Sequence, residues 1–342
     1  MKTTRNYLIL ASFFAGLFLS GCNKEPVGTG SSILFEASSE SEDTRTVYAS
    51  ATASSGNQLI NWKANDEMSI LEYASSATYR SDYRVSTRAN GTNYDRATIT
   101  PSTAGNDLEW KTGTHDFYAV YPKVASGSFS TSALTCSIPA TTSTSTITGT
   151  TYKVVTPDLS SAFMFAKNTG VAKSSSSVNL PFYPLFTAYQ FTIQNTTSAA
   201  ISVTEIKLQS AAAALCGNFT INPSATDLAS YSSPTLTVTG TSFTAGTTND
   251  KITATFSGGV SVAANGSVTV TFIALPIAGQ QLSLYVTAGD ETRHLDLKTT
   301  DSGTPWATFS ARKRHVIPTI EWNAASLKFV AIGTDITWKN NY

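Results

Sequence analysis

The feature that most constrains this chain is a two-residue period that recurs along it. Tyr189, Phe191 and Ile193 alternate with Gln190, Thr192 and Gln194, and Ile252, Ala254 and Phe256 with Lys251, Thr253 and Thr255. Val268, Val270 and Phe272 alternate with Thr269 and Thr271, and Leu282, Leu284 and Val286 with Gln281, Ser283 and Thr287. A strand sends successive side chains to opposite faces, so each segment reads as a strand with one dry and one wet face. Turn clusters separate them at Ser257-Gly258-Gly259, Ala264-Asn265-Gly266-Ser267 and Ala288-Gly289-Asp290, and the Asn265-Gly266 pair reads as a hairpin. Ile201 and Val203 followed by Ile206 and Leu208 slip phase by one residue, which predicts a bulge. Thr141 to Thr151 reads as a loop or a polar edge strand, and Lys173 to Ser177 as a break. Ala211 to Ala214 has length for one helical turn only. Many short strands at this spacing predict an all-β fold of antiparallel sandwiches or barrels. A boundary near Pro184 gives an N-terminal sandwich domain over 33–184 and a C-terminal one over 185–342.

Composition agrees with that reading and narrows function. Charged residues make up 13% of the chain, against roughly 25% in an ordinary soluble domain. Serine and threonine take their place, and helix-forming glutamate and lysine are scarce. Lysine and arginine total 23, as do aspartate and glutamate, so a basic nucleic-acid binder is excluded and no nucleic-acid partner is expected.

The first 22 residues have the plan of an export signal. Lys2 and Arg5 precede an apolar run from Tyr7 to Leu19, too short to span a bilayer. Leu19-Ser20-Gly21-Cys22 resembles the lipobox of bacterial lipoproteins, in which the cysteine is acylated and becomes the new N-terminus. Residues 1–21 are therefore expected to be a lipoprotein signal peptide, Cys22 the lipidated residue, and 22–32 a flexible polar tether outside the cytoplasm. Cys136 and Cys216 fit no C-x-x-C pattern; they are expected to be buried thiols, with a disulfide between them left open.

Chemistry-bearing patterns are sparse. The three histidines, His115, His294 and His315, have no partner at metal-ligand spacing, so no metal or cofactor is expected. His115 is expected at a strand start rather than as a base. Asp301-Ser302-Gly303 matches half of an aspartic-protease signature without the preceding apolar residues or a second copy. Asp66-Glu67 sits in turn-like surroundings and reads as solvated charge. No catalytic constellation is visible, and an enzyme is not expected. Trp62, Trp110 and Trp322 lie in apolar or strand-like runs and are expected in the core.

The two ends carry the sharper signal. Ile33-Leu34-Phe35 looks like a first strand, followed by a polar loop from Ser38 to Arg45. Arg45 stands there isolated and accessible to an arginine-specific protease cutting before Thr46. At the other end, Ser326 to Ile332 and Asp335 to Lys339 read as two strand-like pieces joined at Gly333-Thr334. A terminal strand can pack at home, or it can leave and complete a neighbour's sheet.

With Thr44-Arg45-Thr46, the run from Ile60 to Glu67, Phe117-Tyr118-Ala119-Val120-Tyr121-Pro122, Ser137-Ile138-Pro139, Asp158-Leu159, Ala166-Lys167 and Val178-x-Leu180-x-Phe182, the chain resembles the fimbrillin-like lipoproteins, pilin subunits of type V pili. Many members carry a histidine where Pro184 stands. The resemblance implies two tandem transthyretin-like β-sandwich domains, export to the outer membrane on a lipid anchor at Cys22, and cleavage after Arg45 by an arginine-specific protease. It then implies polymerisation with other pilin subunits into a fimbrium by donor-strand exchange. The donor lies within 326–342 and carries Leu327, Phe329, Val330, Ile332, Ile336 and Trp338. Arg80, Arg84 and Arg88 stand as alternative cut sites, and stalk, anchor and tip roles remain open. A different reading is a monomeric surface lipoprotein that binds glycans through exposed tryptophans.

Overall fold

The structure, a computed structural model, describes residues 31–39, 47–52, 58–88, 96–142, 146–226, 249–278, 281–297, 308–309 and 314–329. Cys22, Arg45, Thr46, Val330, Ile332, Ile336, Trp338 and Asp301 to Gly303 lie outside these residues. The chain is all-β; among the described residues the only helix is a single 3-10 turn at Ser126–Ser128.

Seven strands close into a barrel. Around it run Phe35–Ser39, Val178–Pro184, Met164–Ala172, Thr114–Tyr121, Glu67–Ala74, Ala77–Arg88 and Arg96–Pro101, which returns to Phe35–Ser39. Every neighbouring pair is antiparallel except Phe35–Ser39 with Val178–Pro184, which is parallel. A barrel is one of the two architectures the strand spacing allows; the sandwich implied for this part of the chain is not what forms, and one pairing is parallel. The first strand lies between the Arg96–Pro101 and Val178–Pro184 strands and joins what would otherwise be two free edges. Local alternation marks which residues face inward but not which distant strand lies alongside, and a parallel partner needs a long connection.

The remaining strands form two sheets around a second core. One is seven-stranded, with Ile147–Thr148, Tyr152–Val155, Ser267–Ala274, Thr187–Asn195, Ile320–Trp322 and Leu327–Phe329 in order, and Arg314–Val316 also on Thr187–Asn195. The other is five-stranded, in the order Glu291–Leu297, Leu282–Ala288, Ile201–Ser210, Lys251–Val262 and Thr141–Thr142. The Thr/Ser stretch thus supplies short edge strands to both sheets. Pro184 ends the last barrel strand, yet Leu134, Cys136, Ile138 and Val155, which precede it, are buried in the second core.

The barrel wall facing that core is dry on both sides. Ile70, Phe117, Ala119, Met164 and Ala166 point into the barrel, while Leu71, Tyr118, Val120 and Phe165 pack on the second core. A strand covered on both faces has no wet side to alternate with, which explains the unbroken apolar run Phe117 to Tyr121.

The predicted bulge is present: pairing shifts between Val203 and Glu205 against both flanking strands. Ser257-Gly258-Gly259 is not a turn between strands but the answering irregularity inside Lys251–Val262. Gly258 and Gly259 both have φ of 76°, and a Cβ at Gly259 would collide with the Ser202 hydroxyl. Asn265-Gly266 turns the chain, with Asn265 at φ 59°, but its flanking strands enter different sheets, so no hairpin forms. Gly289-Asp290 does close a two-residue hairpin, between Ala288 and Glu291. Ala211 to Ala214 forms bends rather than a helical turn.

Candidate functional site

The first strand is the element most plainly set apart. Ile33, Phe35 and Ala37 are 2%, 1% and 0% exposed, whereas Leu34 between them is 62% exposed. Phe35 stands edge-on to Tyr83 and to Phe117, both at 5.2 Å between ring centres. Such pairs add about 0.5–1.5 kcal/mol to the burial itself. Ala37 lies opposite Leu180 on one side and Ala97 on the other. The strand bonds along both edges. Val178 N–H donates to Leu34 O at 2.8 Å, Ile33 N–H donates to Leu108 O at 2.8 Å, and Trp110 N–H donates to Ser31 O at 3.0 Å. On the wet side Glu36 meets Arg96 at 3.6 Å, an exposed pair worth little.

Beneath Trp110 lies a buried polar pair. His115 Nδ1 is 2.7 Å from Glu72 Oε1 and its Nε2 is 3.2 Å from Lys111 O, with both side chains fully enclosed. Trp110 meets the imidazole edge-on at 4.8 Å and Phe117 stacks on it at 5.8 Å. Burial holds the Glu72 carboxyl above its ordinary value, and the His115 hydrogen bond offsets only part of that rise. His115 stands at the start of its strand as expected; sequence reasoning missed Glu72, because 43 residues separate the two and no motif links them.

The C-terminal donor candidate is seen in part. Leu327–Phe329 pairs along one edge with Ile320–Trp322, with Leu327 buried and Phe329 half-buried. The turn before it is clamped by Arg293, which donates to the carbonyls of Asn323, Ser326 and Ala324, stacks on Trp322 at 4.1 Å and pairs with Glu291. Asn323 Oδ1 accepts from the backbone N–H groups of Ala325 and Ser326.

Other expectations divide. Arg80, Arg84 and Arg88 lie within the Ala77–Arg88 strand rather than in loops, and Arg80 donates to Ser69 Oγ and to the carbonyls of Val124 and Ala125. A protease needs free extended backbone; Arg84 is paired on both sides, and Arg80 and Arg88 are each held in a ladder on one. Asp66 accepts from Lys63 N–H in a tight turn, and Glu67 pairs with Lys123 at 2.7 Å. Trp62, Trp110 and Trp322 are buried, which leaves none of them as a sugar platform. Cys136 and Cys216 are buried and no disulfide joins them; burial pushes both thiols up, Cys216 to about 11. Among the described residues no group of three or more His, Cys, Asp or Glu side chains is placed to hold a metal. A cleft of about 870 Å³ lies beside the Leu108 segment, lined by Tyr79, Arg80, Asp82, Asn106, Asp107 and Lys123.

These observations define a class: an all-β protein whose own N-terminal strand closes a barrel packed on a second β core. The sequence model of the fimbrillin-like family matches residues 44–327, and the chain belongs to that family. The fold is similar to that of a candidate cell adhesion protein of Bacteroides ovatus ATCC 8483, with TM-score 0.55 and 15% identity over 89% of this chain and 99% of that one. It is also similar to a candidate cell adhesion protein of Bacteroides uniformis ATCC 8492, with TM-score 0.51 and 17% identity over 87% and 94% of the two chains. No curated protein matches.

Proposed function

We propose that this chain is a structural subunit of a cell-surface fimbria, exported as a lipoprotein through Cys22, trimmed after Arg45 and polymerised by donor-strand exchange. The observation that carries this reading is the first strand. It closes the barrel between two strands that would otherwise be edges, and Arg45 follows it by six residues, counted from its last residue, Ser39. A cut there severs the strand from the barrel it completes. Its loss uncovers the slots of Ile33, Phe35 and Ala37 and two rows of backbone donors and acceptors. Exposed edges of that kind seek a new strand. The C-terminal segment of a second copy is the proposed replacement, and the partners are other pilin subunits and an arginine-specific protease. Membership of the fimbrillin-like family supports the reading.

The test is Arg45→Ala in the full chain. Treated with a trace of arginine-specific protease, the wild-type chain loses its N-terminal segment and assembles, while the variant stays intact and monomeric. Normal polymers from the variant contradict the assignment of the cut.

A further inference from the structure

We infer that the groove left by the first strand accepts the C-terminal segment of a second copy in one register, with Leu327 in the place of Ile33, Phe329 in that of Phe35 and Ala331 in that of Ala37. The inference rests on the strand-exchange reading above and adds to it which side chain fills which slot.

The three inward positions of the first strand ask for different things. The first takes a large aliphatic side chain. The second takes a phenyl ring, held edge-on between Tyr83 and Phe117. The third, facing Leu180 and Ala97, is fully enclosed around a single methyl group. Packed interiors tolerate little added volume, so the third slot discriminates most sharply. Three alternating triplets of the C-terminal sequence carry the candidate donor side chains. Leu327-x-Phe329-x-Ala331 repeats the pattern Ile33-x-Phe35-x-Ala37 in size and order. Val330-x-Ile332-x-Thr334 has no ring for the second slot, and Ile336-x-Trp338-x-Asn340 brings an indole to it and an amide to the dry third slot. The order also sets direction. Run backwards, the first triplet would force Leu327 into the Ala37 slot, so the donor runs as the first strand does, parallel to Val178–Pro184.

The outward positions agree. Lys328 takes the exposed place of Leu34, and Val330 takes that of Glu36, across from exposed Thr98. At home, Leu327–Phe329 pairs with Ile320–Trp322, and Phe329 is half-buried. The groove offers ladder partners on both sides and a closed slot for the ring, which offset the Ile320–Trp322 pairing and the Leu327 burial given up at home. The Arg293 clamp on Asn323 to Ser326 fixes where the segment departs.

The test is a cross-link in the full chain carrying Cys22→Ser. Thr98→Cys and Val330→Cys are combined, the protein is trimmed with arginine-specific protease, oxidised mildly and run without reductant. Cys136 and Cys216, buried with their thiolates disfavoured, do not compete. The register gives a ladder of covalent multimers that collapses on reduction and is absent before trimming. Thr98→Cys with Lys339→Cys gives no ladder, because Lys339 faces Thr98 only if Trp338 fills the Phe35 slot. Multimers that link through Lys339→Cys, or through neither pair, overturn the register and leave strand exchange standing. A trimmed wild-type chain that forms no multimers removes strand exchange itself. As a check free of cross-linking, Ala331→Phe slows assembly at least tenfold while outward Lys328→Phe does not, and equal rates overturn the proposal.

Discussion

At the scale of single residues, the His115–Glu72 pair sets the chemistry of the barrel interior. The carbonyl of Lys111 can only accept, so His115 Nε2 donates to it, and a proton must lie between Nδ1 and Glu72. Glu72 Oε2 is buried with no hydrogen-bond partner, so the carboxyl depends on this one imidazole. Replacing His115 by Leu strands an acidic group in a dry core and is expected to cost about 3–5 kcal/mol. Urea unfolding of the full chain measures this, and a loss below about 1 kcal/mol would show that the pair is not a structural element. Phe35 gives a second prediction that depends on the state of the chain. Phe35→Ala is expected to destabilise the untrimmed protein by about 3–5 kcal/mol, yet to leave the trimmed polymer unchanged, since the strand carrying it has gone. Thermal melts before and after trimming distinguish the two. The sequence makes His115 legible as the start of a strand and Phe35 as part of one. It hides the glutamate under the histidine and the ring pair around Phe35, because those contacts join positions more than 40 residues apart.

At the scale of elements, local alternation identifies strands well and their partners poorly. The bulge at Val203 to Glu205 is visible because a phase slip is a local event. The closing of the barrel is not, because it depends on a parallel pairing between Phe35–Ser39 and residues 178–182, far along the chain. Likewise Asn265-Gly266 has the chemistry of a hairpin turn, but its strands diverge into two sheets that pack on the same apolar core. The terminal strand divides in the same way. Because Leu327 is packed in the second core, deleting 326–342 removes a core side chain along with the donor. Deleting 330–342 spares it. That shorter deletion is expected to leave the melting temperature of the untrimmed chain within a few degrees of wild type and to abolish polymers after trimming. Polymers of normal length from it would place the donor elsewhere.

At the scale of the whole molecule, the two β structures are interleaved. Residues 134–155 precede the last barrel strands in sequence, yet they give the second unit an edge strand on each sheet and four core side chains, Leu134, Cys136, Ile138 and Val155. The barrel wall in turn buries Leu71, Tyr118, Val120 and Phe165 against that core. Residues 185–342 expressed alone would expose these surfaces. They are expected to lack the dispersed amide spectrum of a folded protein, and a well-folded isolated fragment would show that the interleaving is dispensable. On the proposed reading, such a unit suits a fibre subunit, with the barrel exchanging one strand while the rest of the molecule holds its shape. The central claim is that the first strand leaves and is replaced, and amide hydrogen exchange reads it most directly. Val178 and Trp110 donate to the first strand's segment in the untrimmed chain. The account predicts that the Val178 amide is protected before trimming, exchanges rapidly in the trimmed monomer and is protected again in the polymer, where a neighbour's strand supplies the acceptor. Protection that persists unchanged through trimming would mean that the strand never leaves, and would contradict the account.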